Sequence, residues 1–255
     1  MIEAEIVDVA KSGGTNTSHT ILVGELSILL RALDSRAEFE DYEHAVLNEN
    51  ILGKRTTAGR LRALRYLKEL YLLRSDSVLF RTLRELWPNA AEGQPLLAGL
   101  CAMARDSVFR ASSSVILETH PGDQVTSQDL AEAVQRAFPD SYSETTLAKI
   151  GRNTFSSWEQ CGHLESDGRN RKVRCRARGT SADVVFATLL GYLEGLRGAS
   201  LLESNWAKIT DLPQSKTLEF AELSSRNNLL DFRQSGGIVD LNFSHLLRPM
   251  EGQML

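Results

Sequence analysis

What this sequence lacks narrows its identity before anything it contains. Its longest near-continuous apolar stretch, residues 184–193, is about half of the ~20 residues that a membrane-spanning helix needs. No span is therefore expected. Three cysteines, Cys101, Cys161 and Cys175, are scattered along the chain, too few and too far apart for a disulfide framework. The opening residues, MIEAEIVDVAK, are acidic and have neither the basic nor the greasy segment of a secretory signal. A cytoplasmic protein is the expectation.

Familiar catalytic signatures are missing too. Gly53, Lys54, Arg55 and Thr56 have the outline of a phosphate-binding loop. Asn48, however, stands where its first glycine belongs, and Arg55 stands where Ser or Thr must follow the lysine. There is no His-Glu-x-x-His, no nucleophile elbow and no Pro-Asp with Glu-x-Lys of the common nuclease core. Cys161, His163 and Cys175 lack the paired short spacings of a structural zinc site. No catalytic residue, metal or cofactor is expected, and the chain reads as a non-enzyme.

What is present is enough apolar residue to bury a core, 42% of 255, in one large domain or two to three small ones. The net charge of −4 is unevenly spread. Residues 54–74 hold seven cations (Lys54, Arg55, Arg60, Arg62, Arg65, Lys68, Arg74) against Glu69, and residues 169–178 hold six with no acid. Each segment is +6, so the other 224 residues carry −16. Two concentrated basic segments on an acidic background fit a protein that meets a polyanion on a limited surface.

Residues 2–9 read as a short β-like run. Helical spacing then predicts helices over 18–33, over 35–47 with Ser35 as cap, and from Thr56 or Thr57 to about 74. On the last of these Leu64, Leu67 and Tyr71 share one face, with Arg62, Arg65 and Glu69 opposite. Further helices are predicted at 77–87, ended by Pro88, and at 95–117 with a break near Ser107. The turn at residues 120–123 (HPGD) marks a domain boundary.

Beyond it, Thr126 with Asp129 caps a helix to about 137, buried through Leu130, Val134 and Phe138. After the turn at 138–141, Ser141 or Ser143 caps a longer helix to about 160. Leu147, Ile150, Gly151, Thr154 and Trp158 fall on one side of it at ~100° per residue. Thr145, Lys149, Arg152, Asn153 and Ser156 fall on the other, the residue types that bond phosphates and base edges. Residues 162–166 and 171–178 then form a hairpin about a turn at 167–168. In its second strand Val173, Cys175 and Ala177 alternate with Lys172, Arg174, Arg176 and Arg178, predicting an outward row of four cations. Helix, turn, helix and basic hairpin is the order of a winged helix-turn-helix.

Residues 181–255 repeat that order weakly: a helix capped by Ser181, helices near 201–208 and 215–225, and a hairpin about Ser235, Gly236 and Gly237. Val239, Leu241 and Phe243 alternate inward. Its charge, Lys216, Arg226 and Arg233 against Glu219, Glu222, Asp231 and Asp240, favours protein contact over DNA.

The stretch from Leu26 through Leu164 resembles the BrxA proteins of bacterial phage-exclusion (BREX) systems. The similarity lies in the polar turn at 48–56 (NENILGKRT) leading into the Arg/Leu-rich helix at 60–73, then a helical middle, then SETTLAK at 143–149 and WEQCGHL at 158–164. It covers somewhat over half of the chain. The resemblance implies a helical-plus-wing, DNA-binding, non-catalytic component of a defence island. The extension at 181–255 departs from the family pattern.

The expected fold is mainly α with small β-hairpins: a helical bundle (1–120), a winged helix-turn-helix (121–180) and a second winged-helix-like unit (181–255). Expected partners are double-stranded DNA and other proteins of a defence complex, with RNA as an alternative ligand. The DNA-binding candidates are Lys54, Arg55, Arg62 and Arg65, then Thr145, Thr146, Lys149, Arg152 and Asn153, then Arg169, Arg171, Lys172, Arg174, Arg176 and Arg178. A transcriptional regulator and a protein-interaction adaptor are the rival readings.

Overall fold

The computed structural model describes residues 5–8, 10, 14–167 and 171–248, and within them the chain is mainly helical. α1 (Val23–Ala32) and α2 (Phe39–Leu47) lead into α3 (Thr57–Tyr71), whose cap Thr56 accepts from the Gly59 amide at 3.0 Å. α4 (Val78–Ala90) is capped by Ser77. α5 (Gln94–Arg105), α6 (Ser107–Ala111) and α7 (Ser113–Glu118) form one interrupted helical stretch. Its first break is Asp106, whose extended backbone ends α5 and whose carboxylate caps α6 by accepting from the Phe109 amide. β1 (Gln124–Val125), α8 (Ser127–Ala137), α9 (Glu144–Gln160), β2 (Leu164–Ser166) and β3 (Lys172–Arg174) follow. The chain continues through α10 (Ser181–Leu193), α11 (Ser200–Glu203), α12 (Asn205–Lys208), α13 (Gln214–Arg226), β4 (Asp231–Ser235) and β5 (Ile238–Asn242).

A helix that is apolar all round belongs in the centre, and the longest apolar stretch in the sequence lies there as α10. Every residue from Ala182 to Gly191 is buried, against α4, α5, α12 and α13. One apolar cluster joins Leu26, Tyr71 and Phe80 with Trp158 and Leu164, and with Phe186, Leu241 and Phe243. It therefore runs through residues from the beginning, middle and end of the chain. A second, smaller cluster (Val108, Val134, Phe138, Leu147, Ile150) holds α8 and α9 to α6. No helix among the described residues is long and apolar enough to cross a membrane.

Several boundaries differ from the sequence expectation, each for a local reason. The helix expected from residue 18 begins only at Val23, because the preceding residues run as a strap held by side chains elsewhere: the Ile21 amide donates to Ser157 Oγ and the Ile21 carbonyl accepts from the Tyr71 hydroxyl. Helix α2 starts at Phe39 rather than near Ser35, behind a capping box of Glu38 and Asp41. Helix α4 passes through Pro88 and ends at Ala90; proline in the last turn removes one hydrogen bond without stopping the helix at once. Thr180 with Asp183, not Ser181, caps α10. The helix expected at 201–208 is divided at Ser204, which caps α12. Of the β-like run at 2–9, residues 2–4 and 9 lie outside the described residues, and Glu5 to Asp8 are not strand. Glu5 instead caps α4, accepting from the Val78 and Leu79 amides.

Candidate nucleic-acid interface

Helices α8 and α9 cross closely because residue 151 is glycine. A Cβ there would lie 2.1 Å from the Ser127 carbonyl oxygen, well inside van der Waals contact. The Thr126–Asp129 capping box fixes the start of α8, and Ser143 caps α9 by accepting from the Thr146 amide at 3.3 Å. After α9 the chain returns through β2 and β3. Strand β3 lies between β1 and β2, antiparallel to both, with Val173 opposite Gln124 and Glu165.

The buried side of α9 is Leu147, Ile150, Gly151, Thr154, Ser157 and Trp158. Thr145, Lys149 and Arg152 are exposed, and no ion pair engages Lys149 or Arg152 among the described residues. Thr146 is half-buried, its hydroxyl 3.0 Å from Ser143 Oγ. Asn153 is committed elsewhere: its amide donates to the Asn16 carbonyl at 2.8 Å. It belongs to a buried network at the C-terminal half of the helix. Asp106 accepts from the Asn16 amide and side chain at 2.8 and 3.0 Å, and Ser157 donates to Asn16 Oδ1 at 2.7 Å. Burial pushes the Asp106 carboxyl up, against the pull of these hydrogen bonds. The free part of α9 is thus the outward face of its N-terminal two to three turns.

The row of four outward cations on β3 does not form; the alternation there has the opposite phase. Lys172 and Arg174 are 8% and 4% exposed, while Val173 and Cys175 are only half-buried. Arg174 donates to Asp211 Oδ2 and Oδ1 at 2.9 and 2.5 Å and to the Ile116 carbonyl at 3.0 Å. Asp211 also accepts from the Ala177 amide at 2.9 Å. Lys172 lies on α9: its ammonium is 4.0 Å from the Phe155 ring centroid, 3.1 Å from the Phe155 carbonyl and 3.0 Å from Glu159. Both cations hold the hairpin to its neighbours and are unavailable to a ligand. Arg171, Arg176 and Arg178 remain exposed, the last 3.6 Å from Glu92 in a solvated pair. Arg169 lies outside the described residues.

The first basic segment sits across a narrow strap from α9. In residues 15–19 the Thr15 hydroxyl donates to Glu69 on α3, the His19 ring lies 5.3 Å from that of Tyr66, and Asn16 joins α9 as above. Burial beside this helix lowers the His19 pKa, opposed by Glu25 and reinforced by Lys54 and Arg62. Arg62 and Arg55 are exposed. Arg65 is exposed, 3.7 Å from Glu69 and over the Tyr66 ring at 4.8 Å, while Lys54 is paired with Glu25 at 2.8 Å. The structure therefore brings Arg62, Arg65, Lys149 and Arg152 onto helices that flank one strap.

His163 is fully buried, its Nε2 2.8 Å from the Ile209 carbonyl, and desolvation pushes its pKa down to about 4. Cys161 lies against Gly99, and Cys175 donates to the Gly162 carbonyl; no metal-ligating group of three occurs among the described residues. Residues that the sequence reading missed are Asp211, Phe155 and Glu159, which fix the hairpin, and Asn16 and Asp106, which fix the strap. None stands in a motif, and Asp211 lies 37 residues from its arginine. No protein-family model and no curated protein matches the chain.

Proposed function

We propose that the protein binds duplex DNA without catalysis, through α9 as the groove-facing helix of a winged helix-turn-helix, within an antiviral assembly of the phage-exclusion type. The observation that carries this reading is the exposed face of the N-terminal half of α9, with Thr145, Lys149 and Arg152 outside any ion pair among the described residues on a helix that packs closely on α8 at Gly151. Support comes from the order α7, β1, α8, α9, β2, β3 and the sheet order β1-β3-β2, which suit a helix held across a groove with a hairpin beside it. Arg171, Arg176 and Arg178 are the wing cations this reading uses, and Arg55, Arg62 and Arg65 add backbone charge from α3. The assembly context rests on the resemblance to BrxA proteins; its other proteins are partners we assign on that ground.

The test is fluorescence anisotropy with several unrelated duplexes. Lys149→Ala with Arg152→Ala should weaken binding by roughly 1–3 kcal/mol in total if they contact bases or phosphates. Unchanged affinity in a normally folded double variant removes α9 from the interface.

A further inference from the structure

Four arginines from three separate parts of the chain meet around one groove that the DNA reading leaves unused. Arg36 precedes α2, Arg81 and Arg84 project from α4, and Arg248 follows β5; together with Glu38, Phe80 and Glu85 they line a cavity of about 890 Å³. Arg84 donates to the Leu30 and Leu33 carbonyls at 3.0 and 2.7 Å, and Arg81 donates to the Leu246 and Arg248 carbonyls at 2.8 and 3.1 Å. These partners fix the guanidinium groups in place but are neutral. Among the described residues no carboxylate pairs with any of the four. The two acids of the lining have other partners: Glu38 accepts from Ser75 at 2.5 Å and Glu85 faces His245 at 2.7 Å. Burial and the neighbouring Arg248 lower the Arg81 pKa, against the pull of Glu5, Glu85 and Asp76.

We propose that this groove binds an acidic peptide segment of a partner protein, one or two carboxylates seated between Arg36, Arg81, Arg84 and Arg248. Arginine forks match carboxylates bidentately, and the pre-positioned Arg81 and Arg84 lose little freedom on binding. A polyanion fits poorly, because the neighbouring helix α2 carries Glu40, Asp41 and Glu43 and would repel a long run of phosphates. The groove shares no residue with the proposed duplex surface, so either assignment can fail alone.

The probe is a fluorescein-labelled peptide alternating Asp or Glu with Leu, compared with its Asn/Gln counterpart and titrated with the full chain. The acidic peptide should bind about tenfold tighter or more, and Arg36→Glu with Arg248→Glu should abolish that preference while leaving duplex affinity within about twofold. Both positions are exposed; Arg36→Gln with Arg248→Gln serves if the reversed charges impair folding, read by circular dichroism. Equal binding of the two peptides, an acidic preference that survives the substitutions, or competition of the peptide by duplex DNA would each overturn the proposal.

Discussion

Replacing Arg174 by glutamine tests whether the basic hairpin is built from structural or ligand-binding cations. The side chain is 4% exposed and makes a two-pronged ion pair with Asp211, itself only 11% exposed. Truncating one member of such a pair leaves the other charge in a poorly solvated site, which costs about 3–5 kcal/mol. Asp211 keeps its Ala177 amide, so the low end of that range is expected. For a chain of this size each kcal/mol lowers Tm by roughly 2–4 °C, giving a fall of about 6–12 °C. Arg176→Gln, at an exposed site on the same segment, should shift stability by no more than about 0.5 kcal/mol. The roles reverse in duplex binding. Each lost phosphate contact should flatten the slope of log K against log salt by about 0.9, and this is expected for Arg176 but not for Arg174 below its melting temperature. Differential scanning calorimetry and anisotropy over a salt series measure both quantities on the same preparations. If Arg174→Gln leaves Tm unchanged and flattens the salt slope, the inward assignment of β3 is wrong.

Gly151→Ala places a methyl against the Ser127 carbonyl, which is backbone and yields little; a loss of roughly 1–3 kcal/mol in a urea melt is expected, and a neutral result would mean that α8 and α9 are not clamped there. Removing residues 181–255 strips α10 and Phe243 from the shared core, so the remainder should lose its cooperative thermal transition; a truncated chain that melts cooperatively would show an independent N-terminal core. Asp183 titrates at about 7 because burial raises it from 3.8. The folded state then holds a proton that the unfolded state has lost, so this group's contribution to stability falls as pH rises from about 4 to 7, by at most ~4 kcal/mol. His163, lowered to about 4, acts in the opposite sense, its neutral ring favouring the folded state increasingly as pH rises from about 4 to 6.5. The two slopes offset in the wild type, and Asp183→Asn should expose the histidine slope as a Tm that climbs over that interval; parallel profiles for variant and wild type would count against the Asp183 assignment, and a variant Tm that stays flat there against that of His163.

The sequence was legible where the deciding interaction is local or where composition leaves one option. Thr126 and Asp129 are three residues apart and bond as their spacing predicts. Gly236 and Gly237 both take positive φ, 55° and 84°, in the two-residue turn between β4 and β5, the conformation such a hairpin asks for. The apolar run of α10 has no polar side, so the centre was its only place. Strand β3 is the opposite case. Strict alternation fixes that Lys172, Arg174 and Arg176 share a phase, but it does not fix which phase is buried. The usual preference for burying valine and cysteine decides the matter only if no partner waits for the cations. Here Asp211 waits beyond α12, and Phe155 with Glu159 waits on the C-terminal half of α9. A buried arginine held by a carboxylate and a carbonyl reverses the preference for two residues, after which Arg176 turns outward and Ala177 inward. The same reasoning explains why the arginine groove left no trace in the charge pattern. Arg81 and Arg84 are one turn apart on α4, but Arg36 and Arg248 are 45 and 164 residues from them, and only tertiary packing brings all four together. A run of charge marks where cations concentrate but not which of them are buried, and a site assembled by tertiary packing draws on residues that no run contains.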